Sequence, residues 1–118
     1  MIEFEVLGNP VSLNNAYATG HNGRRFLSER GKAFKEEVGQ IARLARMTQN
    51  DNEMITGDVT AHLTFYFGDL RVRDVDNCIK IALDALSGIL FEDDSDITEL
   101  HVYKRYDKNK PRTSFVIV

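Results

Sequence analysis

The sequence predicts a single α+β domain, residues 1–118, in which two helices pack on a small mixed β-sheet. Three segments alternate apolar and polar residues, as half-buried strands do, and a fourth follows the last of them across a turn. Two segments with apolar residues at helical spacing separate the strands. A chain of 118 residues is long enough to form one hydrophobic core.

The first half of the chain is predicted to form a strand, a long loop and a long helix. "IEFEVLG" alternates as a strand does, and "NPVSLNNAYATGHNGRR" has the Asn, Gly and Pro content of a loop. Ser28 is expected to cap a helix that runs to about Thr48. One face of this helix is apolar, and another carries the basic residues Lys32, Lys35, Arg43 and Arg46.

The second half is predicted to form a strand, a shorter helix and two further strands. "DVTAHLTFYF" alternates strictly, and a helix is expected from about Asp76 to Gly88. The segments "ITELHVYKRY" and "RTSFVIV" are predicted to pair with each other as a β-hairpin. The predicted order of elements is therefore β-α-β-α-β-β, with helices on a mixed sheet.

Composition limits the class of protein. The longest apolar runs fall short of the ~18 residues expected of a membrane span. The N-terminal residues lack the basic and then apolar pattern of a secretory signal. The single cysteine, Cys78, excludes an internal disulfide and suits a reducing compartment. We therefore expect a cytoplasmic protein with no membrane association.

Charge is distributed unevenly along the chain. The net charge is −3, but residues 21–47 carry +4, residues 51–100 carry −9 and residues 101–118 carry +4. Two basic segments therefore flank an acidic one. This segregation favours contact with a polyanion such as nucleic acid more than the total charge suggests.

The acidic segment contains the motif "RDVDNCIKIALDAL". On a helix, Asp76, Lys80 and Asp84 form one i, i+4, i+8 stripe opposite an apolar face. If residues 74–76 are extended, Asp74 and Asp76 point the same way and Val75 turns into the core. After the helix, "LFEDDSDI" supplies Asp93 and Asp94, followed by Asp96.

Each acidic residue has an ordinary explanation when it is taken singly. Asp74 or Asp76 could cap the helix, Lys80 and Asp84 could be a surface pair, and "EDDSD" could be a solvated loop. Together these carboxylates repel one another, so they require either raised pKa values or a bound cation. Because the candidate ligands are oxygens, Mg²⁺ or Mn²⁺ suits the site better than zinc. A nearby lysine suits chemistry on phosphates, where it stabilises developing charge.

The motif resembles the RusA family of Holliday junction resolvases, small endonucleases common in bacteria and prophages. The family pattern is Arg-Asp-x-Asp-Asn, a lysine four residues after the second aspartate, "DAL" and then a paired "DD". "PVSLNNAY" is similar to the proline- and asparagine-bearing N-terminal loop of the family, with one extra residue. The resemblance covers most of the chain.

The resemblance implies roles for individual residues. The metal-binding aspartates of the family match Asp74, Asp76 and Asp94, and the catalytic lysine matches Lys80. Asp93 is the other half of the pair, and the interval before it is one residue shorter than in the founding member. Whether Asp93 or Asp94 is the closer ligand therefore stays open. The implied activity is Mg²⁺-dependent symmetric cleavage of four-way DNA junctions by a homodimer.

Several polar residues are candidates for contact with DNA. The basic residue before the first aspartate, Arg73, matches the family, and the other candidates are Asn14, Asn15, Arg24, Arg25, Lys32 and Lys35. A charged helix face is often merely solvated, and asparagine in a loop often serves a turn. The competing functions are a metal-dependent nuclease for other branched or flap DNA, and a non-catalytic DNA-binding module. The apolar "SFVIV" and "VTAHLTFYF" are candidate dimer surfaces, unless they are internal to the monomer.

Overall fold

Four strands form the main sheet in a computed structural model that describes all 118 residues. The strands are β1 (Ile2–Leu7), β4 (Val59–Phe67), β5 (Ile97–Tyr106) and β6 (Arg112–Ile117). Their spatial order is β1-β6-β4-β5. β4 runs parallel to β5, whereas β6 is antiparallel to both β4 and β1. The sheet is mixed and the domain is α+β, as the sequence predicts.

The hairpin predicted between the last two strands is wrong. β5 and β6 do not pair, because β4 lies between them. All five inward positions of β4 are buried, which suits a central strand. The linker from Asp107 to Pro111 therefore crosses the end of β4, where the amide of Asp107 donates to the carbonyl of Phe67 at 2.8 Å. Gly68 permits this crossing, since a β-carbon there would lie 2.8 Å from the ring of Pro111.

The predicted N-terminal loop contains regular structure, which corrects the expectation for this segment. It forms a one-turn helix α1 (Leu13–Ala16) and the antiparallel pair β2 (Tyr17–Thr19) and β3 (Arg25–Leu27). Ser12 caps α1, its side chain accepting from the amide of Asn15 at 3.3 Å. These elements are too short for an apolar period to reveal them, so only the capping serine signals them in the sequence.

The long helix α2 (Glu29–Gln49) begins as predicted. The Ser28 hydroxyl accepts from the amide of Gly31 at 3.0 Å. In the same turn, the Ser28 amide donates to the carbonyl of Ala16 at 2.8 Å, and Gly31 packs against that carbonyl so closely that a β-carbon would collide with it. The start of α2 is thereby fixed to the end of α1.

The motif helix α3 (Ile79–Leu86) is shorter than predicted. Residues Val75–Cys78 form a 3₁₀ turn instead of the first turn of an α-helix, and the helix ends two residues before Gly88, whose φ is +81°. Helices α2 and α3 pack together on one face of the sheet. Their shared core includes Cys78, which is 3% exposed, together with Val38, Ala42, Ala82, Leu86, Leu90 and Phe91.

The inward-facing apolar residues of β4 and β6, which include Leu63, Phe65, Phe115 and Ile117, belong to this same core. Both strands are also paired along both edges. These side chains are therefore internal to the monomer, whereas Tyr66 and Val116 on the opposite face are only half-buried, and a dimer surface on that face stays a prediction. The outer strands of the sheet are β1 and β5. Of the helices, none is both long and apolar enough to cross a membrane.

Candidate active site

Lys80 lies at the centre of the motif, between two carboxylates. Its ammonium nitrogen Nζ is 3.0 Å from Oδ1 of Asp84, one turn further along α3, and 4.0 Å from Oδ2 of Asp94. The hydrogen bond to Asp84 is the main reason that the pKa of Lys80 is raised, and the charges of Asp84, Asp94 and Asp93 add to it. Lys80 is therefore a cation at any physiological pH.

Asp84 is fixed from the opposite side by the N-terminal segment. The hydroxyl of Tyr17, at the start of β2, donates to Oδ2 of Asp84. Burial, the hydrogen bond to Asp84 and the charge of Asp84 raise the pKa of Tyr17 to about 12, so the phenol keeps its proton. The motif predicts Asp84 on the stripe, but it gives no sign that Tyr17, 67 residues away in sequence, is its partner.

Asp74 and Asp76 are exposed at the entrance to α3. Asp74 occupies the N-cap position of the 3₁₀ turn, yet its side chain makes no capping bond. Neither carboxylate takes part in any side-chain hydrogen bond or ion pair of the structure, so capping does not explain them. The expectation that Val75 turns into the core is wrong: Val75 is 45% exposed, because the turn is helical rather than extended.

The paired aspartates after α3 differ from each other. Both hydrogen bonds of Ser95, from its amide at 3.1 Å and its hydroxyl at 2.6 Å, go to Oδ2 of Asp93 and lower the pKa of that carboxyl. Asp93 and Asp96 thus form a capping box around a 3₁₀ turn, so "EDDSD" is a hydrogen-bonded turn at the surface. Asp94 is left to face Lys80.

Three of the four predicted ligands have carboxylates without a competing partner in the protein beyond Lys80. These are Asp74, Asp76 and Asp94. No group of three or more acidic, histidine or cysteine side chains is already gathered into a metal site. The donors are nevertheless all oxygens and are exposed or half-exposed, which fits a hard divalent cation that keeps several of its waters.

Arg73 is held beside the motif. Its guanidinium is 2.8 Å from Oδ1 of Asp69 and lies over the ring of Phe67 at 4.3 Å, which leaves the side chain 22% exposed. The hydrogen bond from Arg73 lowers the pKa of Asp69. Lys104 of β5 donates to the Arg73 carbonyl at 2.6 Å. Arg73 and Lys104 thus contact each other at the residue that immediately precedes Asp74.

The other predicted DNA-binding residues lie on the same N-terminal portion of the fold. Asn14 and Asn15 are exposed on α1, and their side chains make no hydrogen bond within the protein. Arg25 on β3 lies over the ring of Tyr17 at 5.6 Å. Arg24 is exposed, Lys35 is half-buried, and Lys32 makes only an exposed ion pair with Glu29 at 3.5 Å.

Two other basic residues have structural partners instead. The guanidinium of Arg46 donates to the carbonyl of Ile89 at 2.9 Å, joining α2 to the segment after α3. Arg112 is 2.9 Å from both Glu5 and Asp107 and lies over the ring of Tyr66. The basic face predicted for α2 is therefore partly used inside the protein.

Comparison with known proteins agrees with the family that the motif resembles. The model of the family described as Endodeoxyribonuclease RusA matches residues 8–117. The crossover junction endodeoxyribonuclease RusA of Escherichia coli (strain K12) is 30% identical over 92 residues, covering 77% of this chain and 73% of that protein.

Two further relatives match most of the chain. The RusA of Shigella sonnei (strain Ss046) is 30% identical with the same coverage. The uncharacterized protein YqaN of Bacillus subtilis (strain 168) is 29% identical over 139 residues, covering 98% of this chain and 94% of YqaN. The family match makes this chain an endodeoxyribonuclease. The chain belongs to the RusA endodeoxyribonuclease family.

Proposed function

We propose that this protein resolves four-way (Holliday) DNA junctions by paired phosphodiester cleavage, using Mg²⁺ and acting as a homodimer. One observation carries the proposal. Lys80 is held 4.0 Å from Asp94, while Asp74 and Asp76 on the approach to α3 have no partner in the protein. In a chain of this family, such an arrangement supports phosphate chemistry better than a structural role.

Asp74, Asp76 and Asp94 would hold the metal ion, for which Mn²⁺ is a possible substitute. When bound, Mg²⁺ supplies an activated water and offsets charge on the leaving oxygen. The surroundings of the "DD" pair favour Asp94 over Asp93 as the closer ligand, since Ser95 and the capping box already occupy Asp93.

Lys80 would act on the phosphate itself. It is 60% exposed, so a phosphodiester can approach it, and its raised pKa keeps it charged. A cation held in place stabilises the extra negative charge that develops as the phosphodiester is attacked.

Arg73 would contact the DNA backbone beside the scissile phosphate, together with the exposed residues of the N-terminal segment and the start of α2. These are Asn14, Asn15, Arg24, Arg25, Lys32 and Lys35. Phosphate contacts of this kind position the nucleic acid without reading its sequence. They also offset the acidic charge of residues 51–100.

The homodimer follows from the symmetry of the substrate. One chain has one such site, whereas resolving a junction requires cuts at two symmetry-related phosphates. A two-fold dimer presents two copies of the site in matching symmetry and is the commonest oligomer.

The test is incubation of the purified protein with a synthetic four-way junction, and with a linear duplex of the same sequences, with and without Mg²⁺. We expect paired symmetric cuts in the junction alone, and only with the metal. Preferential cutting of flaps would favour a general branched-DNA nuclease. Binding without any cutting, in Mg²⁺ or Mn²⁺, would leave only the DNA-binding module.

A rise in the melting temperature of the protein on adding Mg²⁺ tests metal binding separately.

A further inference from the structure

The N-terminal segment reaches the lysine of the motif through two hydrogen bonds in series. The Tyr17 hydroxyl donates to one oxygen of Asp84, and the other oxygen of Asp84 accepts from Lys80 at 3.0 Å. On its far side, Lys80 faces Asp94 at 4.0 Å. Lys80 and Asp84 on α3 therefore link the N-terminal segment to the segment after α3.

This pair differs from an ordinary exposed i, i+4 pair. Asp84 is only 23% exposed, and Tyr17 fixes its second oxygen. By contrast, Lys32 and Glu29 on α2 are 61% and 94% exposed, 3.5 Å apart, and have no third partner. Exposed ion pairs such as Lys32–Glu29 contribute a few tenths of a kcal/mol to stability and restrain the lysine little.

Restraint matters because a lysine side chain has four rotatable bonds and loses considerable rotamer entropy when it is fixed. A half-buried carboxylate whose second oxygen is bound by Tyr17 holds the ammonium near Asp94 before any substrate arrives. Preorganised charge stabilises a transition state without reorganising at the moment of reaction.

We propose that Asp84, fixed by Tyr17, is a positioning residue that keeps the Lys80 ammonium directed at the scissile phosphate. This rests on the proposed function, since Lys80 is assigned there to the phosphate. Neither Asp84 nor Tyr17 needs to touch the DNA: Asp84 acts through Lys80, and Tyr17 acts through Asp84.

The kinetic test compares Tyr17→Phe, Asp84→Asn and Lys80→Ala, alone and combined. We expect Tyr17→Phe to lower kcat by about 3- to 10-fold and Asp84→Asn by about 10- to 100-fold, with junction affinity nearly unchanged. In the Lys80→Ala background, Asp84→Asn should cause no further loss, because residues that act as a unit are not additive. Glu29→Gln, in the exposed pair, is the matched control and should leave kcat unchanged.

Additive losses, or equal losses of affinity and kcat, would overturn the proposal and make Asp84 a structural or DNA-contacting residue. Tyr17→Phe removes a single hydroxyl, so its kcat can still test the proposal if Asp84→Asn does not fold.

A second measurement is independent of cleavage. The Nζ signal of Lys80 in ¹⁵N NMR should show slower hydrogen exchange with water in the wild type than in Tyr17→Phe and Asp84→Asn. An unchanged signal in both variants would overturn the proposal. If the wild type cuts no junction, the proposed function fails, while this signal still decides whether Tyr17 and Asp84 hold Lys80.

Discussion

Among individual residues, Tyr17 makes the stability of the protein sensitive to alkaline pH. Its pKa is raised to about 12 in the folded state, against 10.0 for a free tyrosine. Below pH 10 both states keep the proton and the stabilisation is complete. Between about pH 10 and 12 the unfolded state loses the proton first, so stability falls as the pH rises.

We expect Tyr17→Phe to be less stable than the wild type at pH 8 and to lose less stability on going to pH 11. The measurement is the midpoint of urea unfolding of both proteins at the two pH values. Parallel losses of stability would show that other groups cause the alkaline transition and that the Tyr17–Asp84 bond is not its source.

The partner-free aspartates lead to a second prediction. Asp76→Asn should abolish junction cleavage and keep or strengthen junction binding, because it removes a metal-holding charge and reduces repulsion of phosphates. Cleavage of a labelled junction and a gel-shift titration are the two measurements. Asp51→Asn, at another exposed aspartate, is the control. Near wild-type cutting by Asp76→Asn would remove Asp76 from the site.

At the scale of residues, the sequence predicts which charged side chains of the motif meet better than it predicts contacts between distant segments. Lys80 and Asp94 are found from their motif, and the structure brings them together. The bond from Tyr17 to Asp84 is not predictable in this way, because it spans 67 residues and depends on where α1 places the next strand. The conformation of Val75 was also missed, since a 3₁₀ turn and an extended segment of four residues leave no distinct period.

Between elements, the contact of α2 with α1 decides whether the N-terminal segment reaches the site. Gly31→Ala should lower stability by about 1–3 kcal/mol, because the new methyl would collide with the Ala16 carbonyl. It should also weaken the Tyr17–Asp84 bond and so lower cleavage. Denaturant unfolding and the junction assay are the measurements.

Gly39→Ala provides the matched control on the same helix. Its new methyl would meet only the ends of two side chains, Ile89 at 3.2 Å and Arg43 at 3.3 Å, and no backbone atom. Alanine also favours the helix over glycine by about 1 kcal/mol. Equal destabilisation by both substitutions would mean that the approach of α1 to Gly31 is not special.

The order of the larger elements was predictable, and the pairing of the strands was not. Alternation reports which side chains of β4 and β6 face the core, but it carries no information about which strands are neighbours. The two last strands looked like a hairpin because a short turn-like linker joins them. In the fold that linker instead crosses the end of β4, with Arg112 bound to Asp107 within it.

For the whole molecule, we expect a homodimer whose two sites cut opposed strands. Sedimentation at assay concentration should give twice the monomer mass, 13.4 kDa per chain. A junction extruded from a supercoiled plasmid should then be linearised by coordinated cuts, because both sites act within one complex. A monomer that leaves single, uncoordinated nicks would contradict the resolvase proposal and favour a nuclease for other branched DNA.

The position of β6 between β1 and β4 also has a consequence for protein synthesis. The first strand pairs only with β6, and Ile2 lies opposite Ile117, so it has no sheet partner until residues 112–117 are made. At a synthesis rate of ~5–20 residues per second, the time between the synthesis of β1 and that of β6 is roughly 5 to 20 s. Throughout that time the layer beneath α2 and α3 is incomplete. We therefore expect a chain that lacks residues 112–117 to leave this sheet incomplete, so that nuclease activity requires the last strand to have been made.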